Sequence, residues 1–181
     1  MSLVGQAGSL FMLAPQGGVE NVMYIGGTFS GLSSVRASDR NRAAAVSADV
    51  TANTDAMVEA WDPNCEPSSA AHSFVLSGPN IYIHGGFTTV RGTTRNRAAC
   101  VDSDVTQANP TLRAWNPDVN GTIRTMILSG DNMYLCGHFS EVRGTGRRCY
   151  ACVDSDVTAA SPTLRAWDPD TSGLGVGMFL A

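Results

Sequence analysis

A chain of 181 residues, 43% of them apolar and with a formal charge of −4, is long enough to bury a sizeable core and is neither disordered nor strongly charged. All twelve basic side chains are arginine, which excludes Schiff-base chemistry, a phosphate-loop lysine and a lysine general base, because guanidinium replaces none of them. Nucleic acid is an unsuitable partner for a chain of negative charge with no basic run between aromatics, and no stretch nears the roughly 18 to 20 consecutive apolar residues of a membrane span.

Residues 1–9 read as an N-terminal extension that lacks the basic start of a secretory signal. The compartment is left open, between a soluble protein and a segment of a longer secreted or surface protein. From residue 10 the sequence divides into three units, 10–63, 64–117 and 118–170, and residues 171–181 end in GMFLA, which matches the opening strand of a unit once more. Each unit has an anchor strand, YIGGTF from Tyr24, YIHGGF from Tyr82 or YLCGHF from Tyr134, and closes on a tryptophan, Trp61, Trp115 or Trp167. Recurrence at roughly 50 to 60 residues is the period of modules that cannot bury their apolar faces alone.

Within the third unit, TIRTMILSG (122–130) and NMYLCGHF (132–139) are predicted to form a hairpin across a Gly-Asp-Asn turn. VRGTGRR (142–148) follows as a glycine-bearing loop, RCYACVDSDV (148–157) as a third strand and PTLRAWDPD (162–170) as a fourth. Glycine and proline interrupt the chain too often for helices, and the continuously apolar runs suit sheets covered on both faces. The predicted fold is therefore all-β and β-propeller-like, with three four-stranded blades per chain. A β-trefoil, also three units of four strands, is the alternative.

The succession of YIxGGxF, VRG, RNRAACVD and LRAWNPDVNGTIRTMILSG resembles the bacterial propeller repeats of the delta-sixty type, a family of unknown function, from residue 10 to the end. The resemblance implies propeller blades and carries over no catalytic residue. The third unit departs from the pattern at His138 and Cys149, and the first has an insertion around residues 64–71. Propellers close with about four to eight blades, so three per chain imply self-association. A homodimer closing a six-blade ring is expected, the third unit of each copy packing on the first unit of the other; a trefoil would instead close within one chain.

Arginines recur between the second and third strands, as Arg36 and Arg40, Arg91 and Arg95, Arg143 and Arg147. Ion pairs to Asp62, Asp118, Asp168 and Asp170, with turn hydrogen bonds, are one account of them; a guanidinium-lined rim that captures an anionic ligand is the other. His84 and His138, with Cys136 at the place of His84, face the axis of a propeller and complete the candidate ligand-binding set. His72 reads as surface. Cys100 and Cys152 fall at equivalent core positions, and Cys149 and Cys152, three apart on a strand, point to opposite faces. The cysteines are therefore expected as buried thiols, with neither disulfide nor metal, and no cofactor is expected. The Asp-Ser-Asp corners (Asp102, Asp104, Asp154, Asp156) and the NPDVNG segment read as turns, since the remaining ligands of a calcium loop are missing. Trp115 and Trp167 are expected to be buried in blade packing. Glutamate occurs only at 20, 59, 66 and 141, so a glycosidase pair would have to come from aspartates held in turns. A non-catalytic binding or scaffolding module is the expected function; a carbohydrate-binding trefoil lectin, or an enzyme with its site at the channel mouth, are the alternatives.

Overall fold

The structure is a computed structural model that describes residues 22–29, 40–47, 58–66 and 70–169, together with the backbone of 7–13. Arg36, Asp170 and the strand expected at 177–181 lie outside the described residues. The chain is all-β: the described residues hold fourteen strands and no helix. Three antiparallel meanders dominate, each formed by a hairpin and a returning strand. The first joins β1 (Ala7–Leu13), β2 (Val22–Gly27) and β3 (Ala43–Ser47). Between the first and second meanders lies the short β4 (Cys65–Glu66). The second meander joins β5 (Ala71–Ser77), β6 (Asn80–Gly85) and β9 (Ala98–Asp102), with the short β7 (Thr89–Val90) and β8 (Thr93–Thr94) between the last two. The third joins β10 (Thr122–Ser129), β11 (Asn132–His138) and β14 (Tyr150–Asp154), with β12 (Glu141–Val142) and β13 (Thr145–Gly146) between the last two.

The segment read as a loop at 142–148 is in fact part of a small hairpin, β12 with β13, and β7 with β8 forms another. Two-residue hairpin turns of type I′ need positive φ at both central positions. Arg91 and Gly92 have φ of 51° and 73°, and Arg143 and Gly144 have 53° and 70°. Glycine takes the second of these positions at little steric cost, and arginine bears the strain at the first.

The expected fourth strand is reduced to single bridges, Val46 to Val58, Val101 to Leu112 and Val153 to Leu164. In the third meander its ladder bonds among the described residues run from Asp154 N to Thr163 O (2.9 Å) and from Arg165 N to Cys152 O (2.8 Å). Prolines at 162 and 169 bracket the segment. Lacking an N–H, they keep it from pairing over a longer stretch.

The sheets stack face to face, and alternation along each central strand assigns its side chains. On β6, Ile81 and Ile83 enter a core shared with the first sheet, around Trp61 and Phe74. Tyr82 enters a second core, around Trp115, Ile123 and Leu135, shared with the third sheet. A sheet buried on both faces accounts for the unbroken apolar run of the sequence. The first sheet carries glycine at 26, where the others carry His84 and Cys136, because the second sheet approaches so closely: a Cβ there would lie 2.6 Å from the Ala71 carbonyl oxygen.

Trp115 is fully buried as expected, whereas Trp167 is 41% exposed. Trp61 and Trp115 are each covered by the sheet that follows in sequence, and among the described residues no sheet follows Trp167. In the unassociated chain, replacing Trp115 with alanine is expected to cost about 3 to 5 kcal/mol, and replacing Trp167 no more than about 1 kcal/mol, as measured by denaturant unfolding at low protein concentration. Equal losses at the two positions would contradict this assignment of the covered faces.

Candidate functional site

Each candidate arginine among the described residues reaches a main-chain carbonyl. Arg91 Nη1 donates to Pro110 O (2.9 Å) and Arg143 Nη1 to Pro162 O (2.8 Å). Arg95 Nη2 donates to Arg113 O (3.0 Å), Arg147 Nη2 to Arg165 O (3.3 Å) and Arg40 Nη2 to Glu59 O (2.7 Å) and Ala60 O (3.2 Å). In the second and third units, therefore, one arginine grips the proline that opens the tryptophan segment and another grips its middle, two residues before the tryptophan. These are the segments whose own ladder is a single bridge, so the guanidinium forks satisfy carbonyls that a longer strand would have paired. Arg147 also lies 3.2 Å from the Asp168 carboxylate, an ion pair of the kind expected from the sequence. Arg42 and Arg97, in left-handed conformation with φ of 68° and 69°, donate to the Phe29 and Gly86 carbonyls. Cys149 keeps that conformation, with φ of 66°; a thiol has no such reach.

Two arginines outside the candidate set hold the Asp-Ser-Asp corners. Arg113 pairs with Asp102 at 2.9 Å and Arg165 with Asp154 at 3.0 Å. The second oxygens of these aspartates accept the main-chain N–H of Asp104 (2.9 Å) and of Asp156 (2.8 Å). Asp104 and Asp156 in turn accept from the main chain and hydroxyl of Thr106 and of Thr158. Those threonine bonds hold both carboxyls below the usual carboxylate range. The corners are chains of Asx turns, as their composition predicts. The arginine partners were legible in principle: Arg113 stands one residue past the bridge of Leu112 to Val101, beside Asp102.

Tyrosine and tryptophan link neighbouring sheets, a role their sequence positions did not reveal. The Tyr24 hydroxyl donates to Ser103 O and the Tyr82 hydroxyl to Ser155 O, both at 2.6 Å. Trp61 Nε1 donates to Asp102 O (2.8 Å) and Trp115 Nε1 to Asp154 O (2.7 Å). Each tyrosine ring meets the tryptophan of its own unit edge on, at 4.9 Å for Tyr24 with Trp61 and 5.0 Å for Tyr82 with Trp115. Burial, with the Asp102 carboxylate adding to it, pushes the Tyr24 phenol well above its ordinary value, and burial does the same at Tyr82. Both remain protonated donors.

His84 is 1% exposed, and its Nδ1 lies 3.2 Å from the Ile123 carbonyl oxygen of the third sheet. A carbonyl only accepts, so the bond requires the proton on Nδ1. His72, read as surface, is half-buried and stands edge on to His84, ring centroids 6.4 Å apart. His138 lies on β11 opposite Thr122, its Nε2 enclosed and without a hydrogen-bond partner among the described residues. Among the described residues no group of three His, Cys, Asp or Glu side chains is placed to hold a metal ion. All five cysteines are buried, and none is joined in a disulfide.

Desolvation lowers the His84 imidazole from 6.5 to about 4, and His72 beside it acts in the same direction, while the bond to Ile123 opposes them. A folded-state value below the unfolded one means that the unfolded chain binds the extra proton first. The stability due to neutral His84 is thus complete above about pH 6.5 and is lost as the pH falls towards 4, a total of about 3 kcal/mol at 1.36 kcal/mol per unit. Urea midpoints between pH 7 and pH 4 are expected to fall less steeply for His84→Gln than for the parent; parallel curves would contradict the assignment.

Desolvation pushes the Cys100 thiol up to about 12, Arg113 opposing it and Asp102 adding to it. Desolvation also raises Cys65 strongly. Neither thiol is expected to react with a polar maleimide until denaturant is added, as read by mass spectrometry of the native and unfolded protein. Labelling of native protein at the rate of a free thiol would contradict their enclosure.

No family model, curated protein or solved structure matches this chain.

Proposed function

We propose that this chain is a non-catalytic scaffolding or binding module of β-propeller type, in which the sheets are blades and the chemistry that recurs in each unit serves assembly. The observation that carries the reading is the seal found at both described junctions between the meanders: a tyrosine hydroxyl and an indole N–H of one sheet donating to consecutive carbonyls of the next. Three further observations support it. Each meander keeps its own first-second-third strand order and stacks by its faces, as blades do, whereas a trefoil draws its units into a common barrel. The arginine forks are directed at the main chain of their own unit, which favours the structural account of them over an anion-capturing rim. His84, one of the two candidate histidines, is enclosed and neutral between two sheets.

Thermal unfolding in the presence of sulfate, phosphate, citrate and soluble glycans tests this assignment. The framework role expects Arg95→Gln and Arg147→Gln to lower the melting temperature while leaving any anion-induced increment unchanged. An anion that stabilises the parent by several degrees and loses that increment in Arg147→Gln would overturn the reading in favour of a guanidinium-lined ligand site.

A further inference from the structure

The two inner junctions leave one half-junction of each kind at the ends of the stack. On the third sheet, Tyr134 and Trp167 stand as Tyr82 and Trp115 do on the second. Their rings are 5.3 Å apart at 86°, against 5.0 Å at 85° for the inner pair. Yet Trp167 is 41% exposed while Trp115 is fully buried. On the first sheet, Met23 pairs with Val46, which bridges to Val58, in the register in which Ile81 pairs with Val101 and Leu112 in the second. The residues of the second sheet are packed against its neighbour; Met23, Val46 and Val58 are only half-buried.

We propose that these two faces are the halves of one interface, and that the third sheet of one copy docks head to tail on the first sheet of a second copy, with Trp167 Nε1 donating to the main chain at Ser47. This inference rests on the scaffolding reading and names its partner. The acceptor follows from register: Asp102 O receives Trp61 across the first junction, and Ser47 holds in the first sheet the place that Asp102 holds in the second, opposite Val22 as Asp102 is opposite Asn80. The polarity follows from the chemistry. The indole N–H of the third sheet only donates, and a third sheet on a first sheet sets it against a main-chain carbonyl, as at the two inner junctions. The third face is also the more aromatic. Tyr150 occupies the position of Ala43 and Ala98 and stands against Trp167 at 6.5 Å and 90°. Trp167 is exposed and Tyr134 and Tyr150 beside it are half-buried, an aromatic cluster of the kind enriched at interfaces. Two copies that satisfy both ends at once close a ring of six sheets.

Sedimentation velocity over a range of protein concentrations, with complementary variants, is the test. Trp167→Asp breaks the donor face, and Ile25→Asp, at the place in the first sheet that Ile83 holds in the second, breaks the acceptor face. Each alone is expected to be monomeric, and an equimolar mixture is expected to recover a one-to-one dimer through the remaining intact pair of faces. Trp167→Phe, which keeps a ring and loses the donor, is expected to weaken association about tenfold without disturbing the fold. Iodide quenching supplies a reading that needs no variant: with Trp61 and Trp115 buried, the accessible indole is that of Trp167, and its accessibility should fall as the dimer forms. A parent chain that is monomeric at every concentration overturns the docking while leaving the scaffolding reading to its own test. Wild-type dimerisation by Ile25→Asp alone would replace the head-to-tail contact with a symmetric one. Protection of Trp167 by a soluble glycan with the chain still monomeric would assign the face to carbohydrate and equally overturn the proposal.

Discussion

Everything in this stack of sheets depends on two donors at the far tips of aromatic side chains finding carbonyl oxygens on the neighbouring sheet. Tyr24 and Tyr82 end in hydroxyls that water no longer reaches, and a buried hydroxyl without a partner costs about 1 to 3 kcal/mol. That penalty sets the spacing and the lateral register of the sheets, because Ser103 and Ser155 offer their carbonyls at only one relative position. The indoles of Trp61 and Trp115 repeat the constraint one residue away, at Asp102 and Asp154. Apolar packing alone tolerates sliding; a pair of hydrogen bonds to consecutive carbonyls does not.

The exclusive use of arginine has its explanation in the same economy of carbonyls. A tryptophan segment bracketed by prolines forms one bridge and leaves its remaining acceptors turned towards the loops. The planar guanidinium brings several donors in a fixed fork, so Arg95 reaches both Thr94 O and Arg113 O. An ammonium on a flexible stem would order less well for the same bonds. Arginine here acts as a substitute for strand pairing. That role explains why arginines recur at fixed places in a chain whose net charge is negative.

The all-β fold, the hairpins and the buried thiols were legible because they follow from local pattern: apolar runs ended by glycine turns, and small residues at equivalent places. The reduced fourth strand was legible only in part, since Pro162 and Pro169 were visible but their joint effect on pairing depends on how the segment leaves the sheet. His72 and Trp167 were misread for one reason. Burial at a junction is decided by the neighbouring sheet, and sequence periodicity describes a residue's own strand. His72 is drawn in beside His84, and Trp167 stands open where its counterparts are covered. The destinations of the tyrosine hydroxyls were hidden altogether, because a partner 79 or 73 residues away leaves no local trace.

The acceptors at these junctions are main-chain atoms, and the donors are side chains. Every residue has a carbonyl, so the corner that receives a tyrosine and a tryptophan is under no demand as to which side chain it bears. Ser47 stands in the first unit where Asp102 and Asp154 stand in the others. For these two hydrogen bonds, compatibility is thus written on one partner only. The apolar contacts of a junction need matched side chains on both sheets, whereas sequence drift in the accepting corner leaves the donors of the adjoining unit supplied.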